Sequence, residues 1–206
     1  MIVDERIITF INSLDTKNSE ILEQIETEAR TADVPIIRRE MQSLLKVLLL
    51  LKKPARVLEV GAAVGFSALL MSEYIPEESR ITTIENYEKR IPVARENFRR
   101  AGKEDQITLI EGDAAEVLKT LDGPYDFIFM DAAKGQYIHY LPDILRLLPP
   151  GGCLVSDNVM QDGDVIESRF AVERRNRTIH ARMREYLYEL KHNDSLTTSI
   201  IPLGDG

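Results

Sequence analysis

The chain has 206 residues, 44% of them hydrophobic, a single cysteine and a formal net charge of −8. That length and apolar content suit one globular domain with a full core. Lone Cys153 leaves no disulfide framework and reads as a small core residue, and the negative charge argues against simple coating of nucleic acid.

No stretch reaches the roughly 18 apolar residues of a membrane span. The opening MIVDERIITF lacks the layout of a signal peptide. The expectation is a cytoplasmic protein with no membrane partner.

In chain order, the first fifty or so residues read as helices. DERIITFINSL has apolar residues at 7, 8, 10, 11 and 14, and NSEILEQIETEA has them at 21, 22, 25 and 29. VPIIRREMQSLLKVLLLL begins with Pro35, which the pattern assigns to the first helical turn. After Pro54 the pattern changes. Apolar runs at 55–60, 80–85, 106–111, 125–131 and 152–157 read as strands. Helical segments separate them: GFSALLMSEYI, YEKRIPVARENFRRAG, AAEVLKTL and QYIHYLPDILRLL. A long helix is expected over 168–192, then one more strand, SLTTSIIPL. Such alternation implies right-handed crossovers and an α/β fold, with a mostly parallel sheet and helices on both faces. The chain divides into a helical N-terminal cap (1–53) and a Rossmann-like core (54–206), together one domain.

Open α/β sheets bind ligands beyond the carboxyl ends of their strands. Here those ends carry Glu59 with Gly61, Glu85, Gly112 with Asp113, Asp131, and Asp157 with Asn158. In LEVGAAVGFS, Gly61 and Gly65 flank a tight turn where backbone must approach a ligand. Glu85 follows at the spacing of an acid that binds ribose hydroxyls. A nicotinamide dinucleotide fits poorly, because Ala63 stands where its fingerprint needs a middle glycine. Glu59 would also repel pyrophosphate. A cationic cofactor without phosphates, S-adenosylmethionine, suits these carboxylates, with Asp113 and the backbone near Ala114 offered to its adenine. FIFMD and LVSDN each end a strand on oxygen donors, a set suited to a hard divalent cation.

The segments VLEVGAAVGFSALLM, TIENYEKR, LIEGDAAEVL, YDFIFMDAAKGQY and LVSDNV resemble the metal-dependent O-methyltransferases, the group containing catechol and caffeoyl-CoA O-methyltransferases. The resemblance covers about residues 35–205. It implies a class I methyltransferase fold and a cofactor site of Met41, Glu59, Gly61, Ser67, Glu85, Asp113, Ala114 and Asp131. It also implies Asp131, Asp157 and Asn158 as ligands of magnesium or another hard divalent ion, and Lys134 as the catalytic lysine beside Asp131. Read singly, these residues have plainer roles: Asp131 a helix cap, Asp157–Asn158 a turn pair, Lys134 a surface lysine, Met41 packing. Tyr137 and Tyr140 read as core or rim aromatics and His139 as ordinary structure.

DAAKGQY, SDNV, RRNR and IIPLGDG look like the branch of that family acting on 5-hydroxyuridine in bacterial tRNA. Catechols and 5-hydroxyuracil both present two adjacent oxygens to a metal, so these core motifs serve either substrate. Between Arg169 and Arg184 six arginines face one acid, Glu173. Arg174, Arg175 and Arg177, with Arg38 and Arg39, are the residues expected to meet the phosphates of an anticodon stem-loop. The resemblance also implies a homodimer and a final strand beyond PLGDG.

Overall fold

A computed structural model describes residues 2–204. Met1 and the last two residues of the IIPLGDG motif lie outside that range.

Three helices lead: α1 (Glu5–Leu14), α2 (Glu20–Thr31) and α3 (Arg39–Lys52). Strands and helices then alternate through β1 (Arg56–Val60), α4 (Phe66–Glu73), β2 (Arg80–Glu85), α5 (Ile91–Arg100), β3 (Ile107–Glu111), α6 (Ala114–Thr120), β4 (Phe127–Met130), α7 (Tyr137–Leu147) and β5 (Cys153–Ser156), ending in α8 (Arg177–His192). The five strands form one parallel sheet in the order β3-β2-β1-β4-β5. The chain winds outward from β1 to β3, then returns to the other side of β1 for β4. That reversal opens a crevice beyond the ends of β1 and β4, where α/β sheets take their ligands.

Side chains of successive strand residues leave on opposite faces. Phe127 and Phe129 of β4 join Val57 and Ile81 under α2 to α5, packed on Leu22, Ile25, Leu45, Leu49 and Leu70. Ile128 and Met130, with Leu58, Val60 and Ile84, turn to α6, α7 and α8 and meet Leu118, Ile144, Leu147, Met183 and Tyr186. Both faces of the central strands are covered, and β4, buried at every residue, is continuously apolar (Phe127–Met130).

Four expectations need correction. Pro35 does not open a helix: α3 starts at Arg39, and the Gln42 side chain donates to the Ile37 carbonyl (3.0 Å), holding the residues before α3 in a non-helical path. The last long helix starts at Arg177, not near 168, because Val165 and Val172 anchor an irregular segment ahead of it. SLTTSIIPL forms no strand. Thr198 bonds instead to the end of α8, its Oγ1 to the Leu190 carbonyl and its own carbonyl to Lys191 Nζ, and Pro202 has no N–H for a ladder. Cys153 is half-buried on the outermost strand rather than fully in the core. Among the described residues no helix is long and apolar enough to cross a membrane.

Candidate active site

A cleft of ≈ 880 Å³ lies over the crevice. Its walls come from the glycine turn after β1, the ends of β2, β4 and β5, Gly112 and Ala114, and residues 34–40 before and at the start of α3.

The glycine turn is shaped by close approach. Gly61 has φ +103°, and a Cβ there would stand 2.1 Å from the Asp131 carbonyl oxygen. Glu85 fixes the turn from the other side: Ala63 N–H donates to Oε2 (2.7 Å), while Asn86 and Tyr87 N–H donate to Oε1 (2.9 and 2.8 Å). An ionised carboxylate accepts about four hydrogen bonds, so Glu85 has room for one more donor from the cleft. Open backbone at Gly61 and Ala63, together with the Glu85 and Asp131 carboxylates, fits a ribose-bearing cationic ligand such as S-adenosylmethionine.

Glu59 lies beneath this turn, wholly buried and outside the lining of the cleft. Thr83 Oγ1 donates to its Oε2, Ser67 approaches the same carboxyl, and Oε1 makes no hydrogen bond. Burial pushes its pKa up to about 7 against the pull of Ser67 and Thr83, with Asp131 and Glu85 adding to the rise. Ser67 is buried with it. Asp113 points its carboxylate at Ala115 N–H (2.8 Å), capping α6, and its neighbours Gly112 and Ala114 line the cleft in its place. Met41 lines a small side pocket with Arg38, Asp157 and Leu203.

The chemistry-bearing groups gather where β4 and β5 end. The register pairs Met130 with Ser156, so Asp131 and Asp157 are the next residues on adjacent strands. Asp157 N–H still donates to the Met130 carbonyl (3.0 Å). Asn158 then takes a left-handed turn (φ 54°), and all three residues line the cleft. Lys134, on a short 3-10 turn (Lys134–Gln136), sets its Nζ 2.7 Å from Asp131 Oδ1 and 3.0 Å from the Tyr137 hydroxyl. Among the described residues no three His, Cys, Asp or Glu side chains cluster for a metal. The third donor here is the Asn158 amide, and two carboxylates plus one amide oxygen fit a hard cation that keeps water or substrate in its other positions. Burial holds the Tyr137 phenol well above its usual pKa, with nearby Asp131 adding to the rise.

The arginines disperse. Arg38 lines the cleft. Arg39 pairs with Glu23 (3.3 Å) and Glu26 (3.5 Å). Arg177 donates to the Val172 and Phe170 carbonyls, Arg182 to Gly135 and Arg184 to Val165. Arg175 pairs with Glu173 on the open surface (2.7 Å), and Arg169 and Arg174 are exposed, as is Phe170 at 84%. Several lining residues escaped the sequence reading: Pro35, Ile36 and Ile37, Tyr87 and Arg90, and Ile8 and Asn12 of α1. A helical assignment hid the first group. Nothing in the sequence marks Asn12.

A parallel five-stranded sheet with a glycine turn and an acidic crevice defines a Rossmann-like methyltransferase fold. Residues 12–206 match the model of the O-methyltransferase family, and the chain belongs to that family. It is 37% identical over 127 residues to a catechol O-methyltransferase of Niastella koreensis, covering 60% of this chain and 58% of that protein, less than two thirds of the relative's length. It is 32% identical over 176 residues to caffeoyl-CoA O-methyltransferase 2 of Populus trichocarpa, covering 79% of this chain and 68% of the other. The SAH-bound methyltransferase PaMTH1 of Podospora anserina superposes with a TM-score of 0.87 at 28% identity, over 98% of this chain and 91% of that one.

Proposed function

We propose that the protein is an S-adenosylmethionine- and divalent-metal-dependent O-methyltransferase whose acceptor hydroxyl has a second oxygen beside it. The observation that carries this reading is the convergence of Asp131, Lys134, Asp157 and Asn158 at one wall of the cleft, with Lys134 Nζ 2.7 Å from Asp131. When bound, S-adenosylmethionine supplies the methyl group, and a magnesium-type cation supplies Lewis-acid polarisation of the acceptor. Asp131, Asp157 and Asn158 are the residues to hold the cation. Gly61, Ala63, Glu85 and Ala114 are those to hold the cofactor. Lys134 brings positive charge to the oxygen that turns negative, favouring its ionised form. Ile36, Ile37 and Tyr140 wall the cleft against water.

For the acceptor we take 5-hydroxyuridine at the wobble position of a tRNA anticodon, giving 5-methoxyuridine. Support comes from Arg169, Arg174 and Arg175, exposed cations on the same short segment as exposed Phe170, groups of the kind that hold phosphates and unpaired bases. A small catechol is the second reading, favoured by the name of the Niastella relative. The test is to offer labelled S-adenosylmethionine and Mg²⁺ with tRNA containing 5-hydroxyuridine beside a simple catechol. Chelator-sensitive label in the tRNA with little on catechol supports the first reading. Label confined to catechol moves the protein to small-molecule substrates and keeps the chemistry. No label on either overturns the proposal.

A further inference from the structure

Tyr137 is fully buried at the first turn of α7, and every hydrogen bond of its hydroxyl runs to Lys134, to Asp157 or to a residue flanking Asp131. The hydroxyl donates to the Met130 carbonyl (2.9 Å), with the Asp157 carbonyl at 3.3 Å as the alternative acceptor. It accepts from Lys134 Nζ (3.0 Å) and from Ala132 N–H (3.3 Å). A phenol has one proton to give and two lone pairs, so its capacity is filled. It has nothing left for a substrate.

The identity of these partners gives the hydroxyl its meaning. Met130 and Ala132 stand on either side of Asp131. The carbonyl of Asp157 belongs to the second proposed ligand, and Lys134 is the lysine that faces the first. The regular β4–β5 pairing ends at Met130 and Ser156, and only the Asp157 N–H to Met130 bond continues it. Beyond that point Asn158 turns away in a left-handed conformation. One oxygen therefore takes over from the sheet at the place where two carboxylates need a fixed separation. Its ring is held in turn by the edge of Tyr186, with centroids 5.5 Å apart at 71°.

We infer that Tyr137 is the positioning residue of this site, setting the separation of Asp131 and Asp157 and the direction of Lys134 without touching substrate or cofactor. This rests on the reading that Asp131, Asp157 and Asn158 hold a divalent cation. Outer partners that orient metal ligands commonly govern affinity by about 10–100-fold.

The test uses the full chain as Tyr137→Phe, with Tyr186→Phe as a matched control. Tyr186 loses an equally buried hydroxyl, one bonded to Ser156 Oγ (2.7 Å) and to no proposed ligand side chain. Mn²⁺ binding is read by electron paramagnetic resonance of the free ion, S-adenosylhomocysteine binding by calorimetry, and folding by a thermal melt. The expected result is Mn²⁺ affinity weakened about 10-fold or more in Tyr137→Phe, with cofactor-product affinity within about twofold of wild type and Tyr186→Phe unchanged in both. Tyr137→Phe that binds Mn²⁺ like wild type overturns the inference while leaving the metal reading intact. An equal loss in both variants also overturns it, because loosened packing would then explain the effect. Wild-type protein that binds no Mn²⁺ overturns the metal reading and the inference with it.

Discussion

Glu59 keeps its carboxyl wholly buried beside Thr83 and Ser67, with a pKa raised from 4.5 to about 7 chiefly by burial. Below about pH 4.5 it is protonated in folded and unfolded chains alike, and its hydrogen bonds stabilise without penalty. Between 4.5 and 7 the unfolded chain ionises and the folded one does not, so stability falls as pH rises, by about 3 kcal/mol in total at ~1.4 kcal/mol per unit. Above 7 the loss levels off. Urea titrations at pH 5 and pH 8 should therefore show wild type losing about 2–3 kcal/mol more than Glu59→Gln across that interval. An equal loss in the two proteins would remove Glu59 as the cause. At Lys134 the expected change is in rate: Lys134→Ala should lower kcat by about 100-fold or more with S-adenosylhomocysteine affinity little changed, read by steady-state kinetics and calorimetry. Gly61→Ala should do the opposite in kind. Its Cβ would sit 2.1 Å from the Asp131 carbonyl at a φ of +103°. Cofactor binding should be lost and the melting temperature should drop, because the ends of β1 and β4 must part.

At the scale of the element, α8 shows why a run of arginines is a poor guide to function on its own. Residues 157–173 hold one kinked 3-10 segment (Gln161–Ile166) and otherwise turns and bends, with carbonyls that no ladder satisfies. The guanidinium, with five donors, is well suited to collect them. Arg177 and Arg184 do so at Val172 and Val165, while Arg182 reaches instead to Gly135 and fastens the turn that carries Lys134. Arg169 and Arg174 stay exposed and Arg175 holds only a surface pair with Glu173. Arg177→Ala should therefore lower stability by about 1 kcal/mol, while Arg174→Ala with Arg175→Ala stays within about 0.5 kcal/mol in a thermal or urea melt. If tRNA is the substrate, the double variant should weaken its binding and flatten the salt dependence by about two phosphate contacts. Unchanged salt dependence would take these arginines out of the substrate surface. Spacing along the sequence put all of them on one helix. It did not reveal which ones the protein itself consumes.

Across the whole molecule, apolar surface remains on the N-terminal helices. Phe10 and Leu14 of α1 are 64% and 69% exposed, and Leu51 of α3 is 78% exposed. The homodimer expected from the resemblance would cover such a face, and we propose that it does. Phe10→Asp together with Leu51→Asp should then convert a dimer into a monomer in sedimentation equilibrium with the fold retained by circular dichroism. A wild-type monomer at micromolar concentration would end that proposal. The same N-terminal part helps wall the cleft: Ile8, Asn12 and residues 34–40 line it, so the cap belongs to the site as much as to the core.

The sequence by itself determined the alternation of strands and helices, the parallel sheet and the set of residues at its carboxyl edge. Those features follow from local periodicity and from the rule that such sheets bind ligands at one end. Asp131, Asp157 and Asn158 were legible because each sits just past a strand end, and Lys134 through the resemblance carried by DAAKGQY. What only the tertiary structure decided depends on partners distant in the chain. Pro35 to Arg38 became a wall of the cleft instead of a helix once Gln42 took the Ile37 carbonyl. SLTTSIIPL has the composition of a strand and none of the pairing. Three arginines became clamps on the chain's own backbone carbonyls. Tyr137, at an unremarkable position three residues after Lys134, became the point where the ends of two strands meet, since a buried hydroxyl must satisfy its bonds and only the folded chain brings Met130, Ala132, Asp157 and Lys134 within its reach.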